Sequence, residues 1–174
     1  MQTGIIRRID ELGRIVIPKE IRRTLRLHEG DEMEITVDDG CLMLRKFSEI
    51  ENMRHVAKGV VRSLREFTAA EVMVCDNTQV SFYEGGDRKI AEGKIITEQL
   101  EKILQSKKYT LLMDDKRVPL YEGDPINWDC QVISPIVAQG DLVGGLILLT
   151  NKNGNEHLGY VNLAVKILTS LCTK

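Results

Sequence analysis

The first 47 residues contain two apolar stretches that so short a domain cannot bury by itself. Residues 5–9 and 14–17 alternate as strands but carry apolar side chains on both faces, and a Glu-Leu-Gly turn lies between them. A unit of this size buries only a modest fraction of its surface. The sequence therefore predicts an intertwined homodimer, in which the hairpins of two chains cover each other's apolar faces.

A short helix and a second hairpin complete this mostly-β unit. Pro18 suits the first position of a helix, because its missing N–H would have no partner there, and Ile21 and Leu25 share one helical face. Residues 33–37 then alternate as a strand, and Asp39-Gly40 predicts a two-residue hairpin turn into a return strand. The predicted order of elements over residues 1–47 is β-β-α-β-β.

Charge is distributed unevenly along the same unit. Residues 3–26 hold seven basic and three acidic side chains, whereas residues 27–40 hold six acidic side chains and no Lys or Arg. The bases are Arg7, Arg8, Arg14, Lys19, Arg22, Arg23 and Arg26. Guanidinium groups can grip phosphate oxygens or the O6 and N7 atoms of guanine, so we predict a surface for double-stranded DNA. The alternative is a solvated face with ordinary salt bridges.

The remaining residues predict a second and larger domain of the α+β class, an antiparallel sheet with flanking helices over residues 53–174. A polar linker is predicted at residues 48–52. Apolar spacings of three and four predict helices near residues 53–67, 95–104 and 158–172. Strands are predicted at residues 71–76, 79–83, 109–113, 130–138 and 142–150. The apolar seams of the first and last helices further predict a homotetramer.

A dense motif runs through the first domain. It reads Thr3-Gly4-Ile5-x-Arg7-x-Ile9-Asp10-x-Leu12-Gly13-Arg14-x-Val16-Ile17-Pro18-x-Glu20-x-Arg22-Arg23-Thr24-Leu25, followed by Gly30-Asp31 and Glu34-Ile35. This motif resembles the DNA-binding half of the AbrB family of swapped-hairpin transition-state regulators. The resemblance implies that Arg7, Arg14, Arg22 and Arg23 contact DNA, with Arg8 as a helper.

The second domain resembles GAF domains in its order of elements and in the segments Ser134-Pro135-Ile136-Val137, Gly140-Asp141 and Val143-Gly144-Gly145-Leu146. As a whole, the chain resembles regulators in which a swapped-hairpin domain precedes a GAF domain. The resemblance implies a cytoplasmic transcription regulator that activates and represses sporulation genes in the forespore. It also implies a second domain that serves oligomerisation and ligand sensing.

GAF domains often bind small molecules against the sheet, under a variable loop. Residues 114–129 fit that loop, in which Tyr121 and Trp128 offer stacking surfaces and Arg117 offers a charge. These three residues are the candidates for a pocket that takes an unidentified small molecule. The alternative is that the two aromatic residues only fill the core.

Other classes of site find no support in the sequence. The four cysteines are far apart and form no Cys-x-x-Cys pair, and the three histidines are isolated, so no metal or cofactor is predicted. No catalytic motif and no apolar run of membrane-spanning length is present. Two alternatives to a regulator remain. One is an antitoxin-like interaction module, which a disordered acidic tail would indicate, and the other is a small-molecule sensor with secondary DNA binding.

Overall fold

The structure is a computed structural model that describes residues 4–86 and 88–172. Thr3 of the N-terminal motif lies outside the described residues. The chain divides into two compact units, Met1–Phe47 and Ser48–Lys174. Each unit is built on its own antiparallel sheet.

The first unit contains one short helix and one hairpin. Helix α1 spans Lys19–Thr24, and strands β1 and β2 span Met33–Asp38 and Cys41–Lys46. The turn residues Asp39 and Gly40 have φ angles of 44° and 75°. A type I′ turn requires positive φ at both central residues, which Asp-Gly accepts easily. The hairpin predicted from the sequence is confirmed.

The two N-terminal strands that the sequence predicts are not formed in the single chain. Residues 5–9 and 14–17 belong to no strand, and Pro18 is the only buried residue among the described residues of this unit. Ile6 is 90% exposed and Val16 is 75% exposed. A strand needs a neighbour for its backbone groups and a surface for its apolar side chains. One copy of the chain supplies neither.

The second unit is a five-stranded antiparallel sheet with helices on both faces, as the sequence predicts. Its strands are β3 (Glu71–Asp76), β4 (Val80–Glu84), β5 (Thr110–Met113), β6 (Cys130–Ala138) and β7 (Asp141–Thr150), in the spatial order β4-β3-β7-β6-β5. Its helices are α2 (Glu49–Asn52), α3 (Arg54–Thr68), α4 (Arg88–Ala91), α5 (Glu98–Gln105) and α6 (Leu158–Cys172). Short 3-10 turns lie at Asp114–Lys116 and Gly154–His157.

Both faces of this sheet carry an apolar core. On one face, Val61 of α3 and Val161 of α6 pack in one cluster with Leu148 of β7. On the other face, α5 and part of the segment 114–129 cover the sheet, and Leu104 is buried there. The two clusters alternate along the strands because successive side chains point to opposite faces.

Two glycines of β7 allow neighbouring elements to approach closely. A Cβ atom on Gly145 would lie 2.5 Å from a methyl carbon of Leu104 in α5. A Cβ atom on Gly144 would lie 2.1 Å from the carbonyl oxygen of Cys75 in β3. Packing therefore explains why glycine stands at both positions.

Residues 48–52, predicted as a linker, instead form part of the second unit. The Ser48 hydroxyl accepts a hydrogen bond from the Glu51 N–H at 3.3 Å and caps α2. Ile50 has no exposed surface and lies in the core cluster with α3 and α6. Burying one such side chain contributes about 1.5–3 kcal/mol. Ile50, the one apolar side chain of residues 48–52, thus holds this polar stretch against the second unit.

Candidate nucleic-acid interface

The five arginines predicted to contact DNA lie in the first unit, and all five are exposed. Arg7 and Arg8 precede a turn at residues 10–14, Arg14 ends that turn, and Arg22 and Arg23 lie in the last turn of α1. Within the described part of the chain, Arg14 is the member of this set that has an ion-pair partner. The guanidinium groups of the other four are available to an anionic partner.

Asp10 organises the turn that ends at Arg14. Its Oδ2 accepts a hydrogen bond from the Arg14 Nε–H at 2.7 Å. Its Oδ1 accepts the backbone N–H groups of Arg14 at 2.8 Å and of Leu12 at 3.0 Å. Gly13 takes the φ of 76° that closes the turn. The backbone bond from Arg14, followed by its side-chain bond, holds the pKa of Asp10 below its ordinary value, so the carboxylate is ionised at neutral pH.

Two acidic side chains of this unit, Glu34 in β1 and Asp31 just before it, pair with bases of β2. The Arg45 Nε lies 2.5 Å from Glu34, and the Lys46 Nζ lies 2.9 Å from Asp31. The Arg45 hydrogen bond lowers the pKa of Glu34. Partial burial raises the pKa of Asp31, but bonds from the His28 N–H and from Lys46 outweigh that effect and lower it. Glu34 and Asp31 are therefore engaged with bases of β2, and within the described residues they form no ion pair with the five arginines.

An apolar cavity of about 320 Å³ lies in the same unit as the arginines. Its lining includes Ile15, Ile17, Ile21 and Leu25, together with Arg7. Apolar lining and exposed guanidinium groups therefore come from the same short segments. A partner that fills the cavity would also fix the backbone that carries the arginines.

A second apolar surface lies between two helices of the second unit. A groove of about 500 Å³ is lined by Val56, Val60 and Phe67 of α3 and by Tyr160, Leu163 and Ile167 of α6. The rings of Phe67 and Tyr160 stack with centroids 6.1 Å apart. Phe67 is 75% exposed and Leu163 is 59% exposed. Contiguous exposed apolar side chains of this kind are typical of an association surface.

The three residues predicted to form a ligand pocket lie together, but as a packed segment. Tyr121 is 2% exposed, and Trp128 packs, partly buried, against the same core cluster. The Arg117 guanidinium donates to the carbonyl oxygens of Asp114 and Trp128, each at 2.6 Å. The Tyr121 ring, which was expected to stack on a ligand, is therefore buried in the core. A ligand site at these residues stays a prediction, which would require the segment to move.

Asp10 was a named position of the N-terminal motif and an acid in a basic segment, but no role was predicted for it. The spacing Asp-x-x-Gly-Arg carried the signal, since an Asp side chain that accepts nearby backbone N–H groups is typical of a turn. The ion pair with Arg14 needs the folded turn and is not visible in the spacing alone.

Among the described residues, no group of three or more His, Cys, Asp or Glu side chains is arranged to hold a metal ion. None of the described helices combines the length and the apolar character that a membrane span requires.

Comparison with known families divides the chain in two. The family model of the stage V sporulation protein T C-terminal domain, described as a transcription factor, matches residues 52–171. The model of MazE, a bacterial antitoxin described as an antidote that recognises a toxin, matches residues 6–49. Because the larger match is to a transcription factor, the comparison does not favour the antitoxin alternative for the whole chain.

Individual relatives extend this result. Stage V sporulation protein T of Bacillus subtilis (strain 168) is 40% identical over 149 residues, which cover 85% of this chain and 84% of that protein. The transition state regulatory protein AbrB of the same organism is 58% identical over 45 residues, which cover 26% of this chain and 47% of AbrB.

A solved structure supports the fold of the second unit. The GAF domain/HD domain protein of Geobacter sulfurreducens aligns with a TM-score of 0.51 at 15% identity, over 72% of this chain and 93% of that one. The two-domain architecture predicted from the sequence, an AbrB-type domain followed by a GAF-like domain, is confirmed. The chain belongs to the stage V sporulation protein T family.

Proposed function

We propose that the protein is a DNA-binding transcription regulator that activates and represses sporulation genes, and that it acts in the cytoplasm on chromosomal DNA. The observation that carries this proposal is the set of five exposed arginines in the first unit, four of which have no ion-pair partner within the described part of the chain. The name of the relative that aligns with most of the chain supports the link to sporulation. This function needs no catalytic group.

We propose that two copies form the functional DNA-binding surface. Only Pro18 is buried among the described residues of the first unit, so that unit lacks a core of its own. A second copy that covers residues 5–9 and 14–17 would give each face the apolar neighbour it lacks. The dimer then presents two sets of Arg7, Arg14, Arg22 and Arg23, with Arg8 as a helper.

The arginines supply affinity mainly through phosphates. A guanidinium group is permanently charged and donates in a fork that matches phosphate oxygens. Helix α1 has six residues, which is short for a helix that reads several base pairs in the major groove. We therefore propose a loose sequence preference, to which DNA shape contributes.

Salt dependence of DNA binding tests the proposal directly. If the dimer neutralises about eight phosphates, log K falls against log salt with a slope near −7. Removing four guanidinium charges per dimer with Arg14→Ala plus Arg23→Ala brings the slope to about −3.5. The matched control is Arg62→Ala plus Arg65→Ala, which removes two exposed arginines of α3 in the second unit. A wild-type slope near zero, or equal binding by the first double variant, would refute the function.

We further propose that the groove between α3 and α6 joins two dimers into a homotetramer. Its exposed apolar residues come from two helices that otherwise pack on the sheet. Ligand sensing by the GAF-like unit is a separate prediction. Thermal-shift measurements with nucleotides and amino acids test it, since a bound ligand raises the midpoint of unfolding.

A further inference from the structure

Asp10 places a negative charge inside the surface that we propose to bind DNA. Its side chain is 42% exposed, and that of its partner Arg14 is 71% exposed. A carboxylate near phosphates weakens DNA binding by like-charge repulsion unless it does something else there. We infer that Asp10 is a positioning residue, which fixes the Arg14 guanidinium so that its two terminal amino groups face the O6 and N7 atoms of a guanine end-on. This inference rests on the proposed function.

The hydrogen-bond inventory of the arginine sets its direction. A guanidinium group has five N–H donors, one on Nε and four on the two terminal nitrogens. The Nε–H of Arg14 is bound to Asp10 Oδ2 at 2.7 Å. A fork that uses Nε is therefore closed, and the fork formed by the two terminal nitrogens remains. That fork can meet the O6 and N7 atoms of guanine.

The carboxylate is itself held in place. Its other oxygen accepts the backbone N–H groups of Leu12 and Arg14, so both oxygens are fixed within one turn. The Asp10 N–H donates to the Arg14 carbonyl oxygen at 3.1 Å, and the Gly13 N–H donates to the Asp10 carbonyl oxygen at 3.0 Å. The backbone and the guanidinium group of Arg14 are thus both hydrogen-bonded to Asp10.

Because Asp10 holds Arg14 in place, its loss should affect discrimination between DNA sequences more than the attraction of Arg14 to phosphates. An arginine held in one rotamer loses less freedom when it meets a base edge, whereas a mobile arginine still attracts any phosphate. Loss of the Asp10 contact therefore weakens binding to a preferred duplex and spares binding to an unselected one. Simple removal of a repelling charge predicts the opposite, tighter binding to both.

Asp10→Asn separates these two views. Asparagine keeps Oδ1 as the acceptor for the Leu12 and Arg14 N–H groups, so the turn is retained, but its amide nitrogen cannot accept from Nε. Glu11→Gln is the matched control, because it removes the same charge from the adjacent exposed position. The probes are a duplex that the wild-type full-length chain enriches from a random library, and poly(dA-dT), which contains no guanine, as the unselected duplex.

We expect the ratio of the two affinities to fall by about tenfold in Asp10→Asn, on the scale of one good arginine–base contact. The salt slope and the Glu11→Gln ratio stay at wild-type values. Arg14→Lys supplies a second variant, since lysine keeps the charge but has no fork, and we expect the same fall in the ratio. This variant keeps the inference testable should Asp10→Asn fail to fold by circular dichroism.

The outcomes separate the inference from the function on which it rests. An unchanged ratio in a folded Asp10→Asn protein, or a wild-type ratio in Arg14→Lys, would overturn the inference. So would a wild-type chain that binds both duplexes equally. A wild-type chain that binds neither duplex would overturn the proposed function.

Discussion

Replacing Leu163 by alanine tests the proposed tetramer, because this side chain is the exposed centre of the apolar surface on α6. Full burial of a leucine side chain contributes about 1.5–3 kcal/mol. Leu163 is 59% exposed in one copy, so covering the rest contributes about 1–2 kcal/mol. A tetramer of two dimers contains two such two-fold contacts and buries four copies of Leu163, so the effect is about 3.5–7 kcal/mol. The dimer–tetramer dissociation constant should therefore rise by about 300- to 100,000-fold.

Sedimentation equilibrium over a range of protein concentrations measures this constant. Ile90→Ala is the matched control, because Ile90 is 58% exposed but is not among the residues of the groove. We expect the control to form the tetramer as the wild type does, and the pairing through the first unit to persist in both variants. Equal dissociation constants for Leu163→Ala and wild type would refute the groove as the tetramer contact. A wild-type protein that stays dimeric at every concentration would refute the tetramer.

Three further predictions concern stability and reactivity. Cys41 is exposed, whereas burial raises the pKa of Cys75 to about 12. A thiol reagent should therefore label the native chain once, at Cys41, and should label all four cysteines only in denaturant. Mass spectrometry measures the number of labels. Gly144→Ala forces a Cβ atom to 2.1 Å from a backbone oxygen and should lower the urea-unfolding free energy by about 1–3 kcal/mol, whereas Gly159→Ala meets no atom within 4 Å and should be close to neutral. The pKa of Asp31 is lowered in the folded state, so the stabilisation that its carboxylate gives to the fold is complete above the ordinary pKa of 3.8 and is lost as the pH falls through the folded-state pKa. The difference in unfolding free energy between wild type and Asp31→Asn should therefore decrease over the same pH range. A difference that persists at the lowest pH would contradict the lowered pKa.

Most of the second unit was predictable because its signals are local. The helices show apolar spacings of three and four, and β6 and β7 are mostly apolar stretches joined by a Gln-Gly turn. The bounds of the predicted strands and helices differ from the observed ones by three residues or fewer. Helices α2 and α4 were missed because four residues are too few to show a period.

What could not be predicted depends on contacts between distant residues. The strands expected at residues 5–9 and 14–17 require pairing that one chain does not supply, so their alternation indicated a preference and not a formed element. Tyr121 was expected in a pocket, but its burial depends on how the segment 114–129 packs on the sheet. Composition cannot distinguish an aromatic residue that stacks on a ligand from one that fills a core.

The placement of the arginines links DNA binding to self-association. Arg7 and Arg14 lie in the segments whose apolar side chains are exposed in a single copy, and Arg7 is among the residues that line the apolar cavity. A copy that covers those side chains orders the backbone that carries the arginines, and DNA that holds the arginines in register favours the covered state. The two equilibria must then strengthen each other by the same factor, because linkage is reciprocal. In the proposed dimer, any change that stabilises the pairing of the two first units therefore also raises DNA affinity.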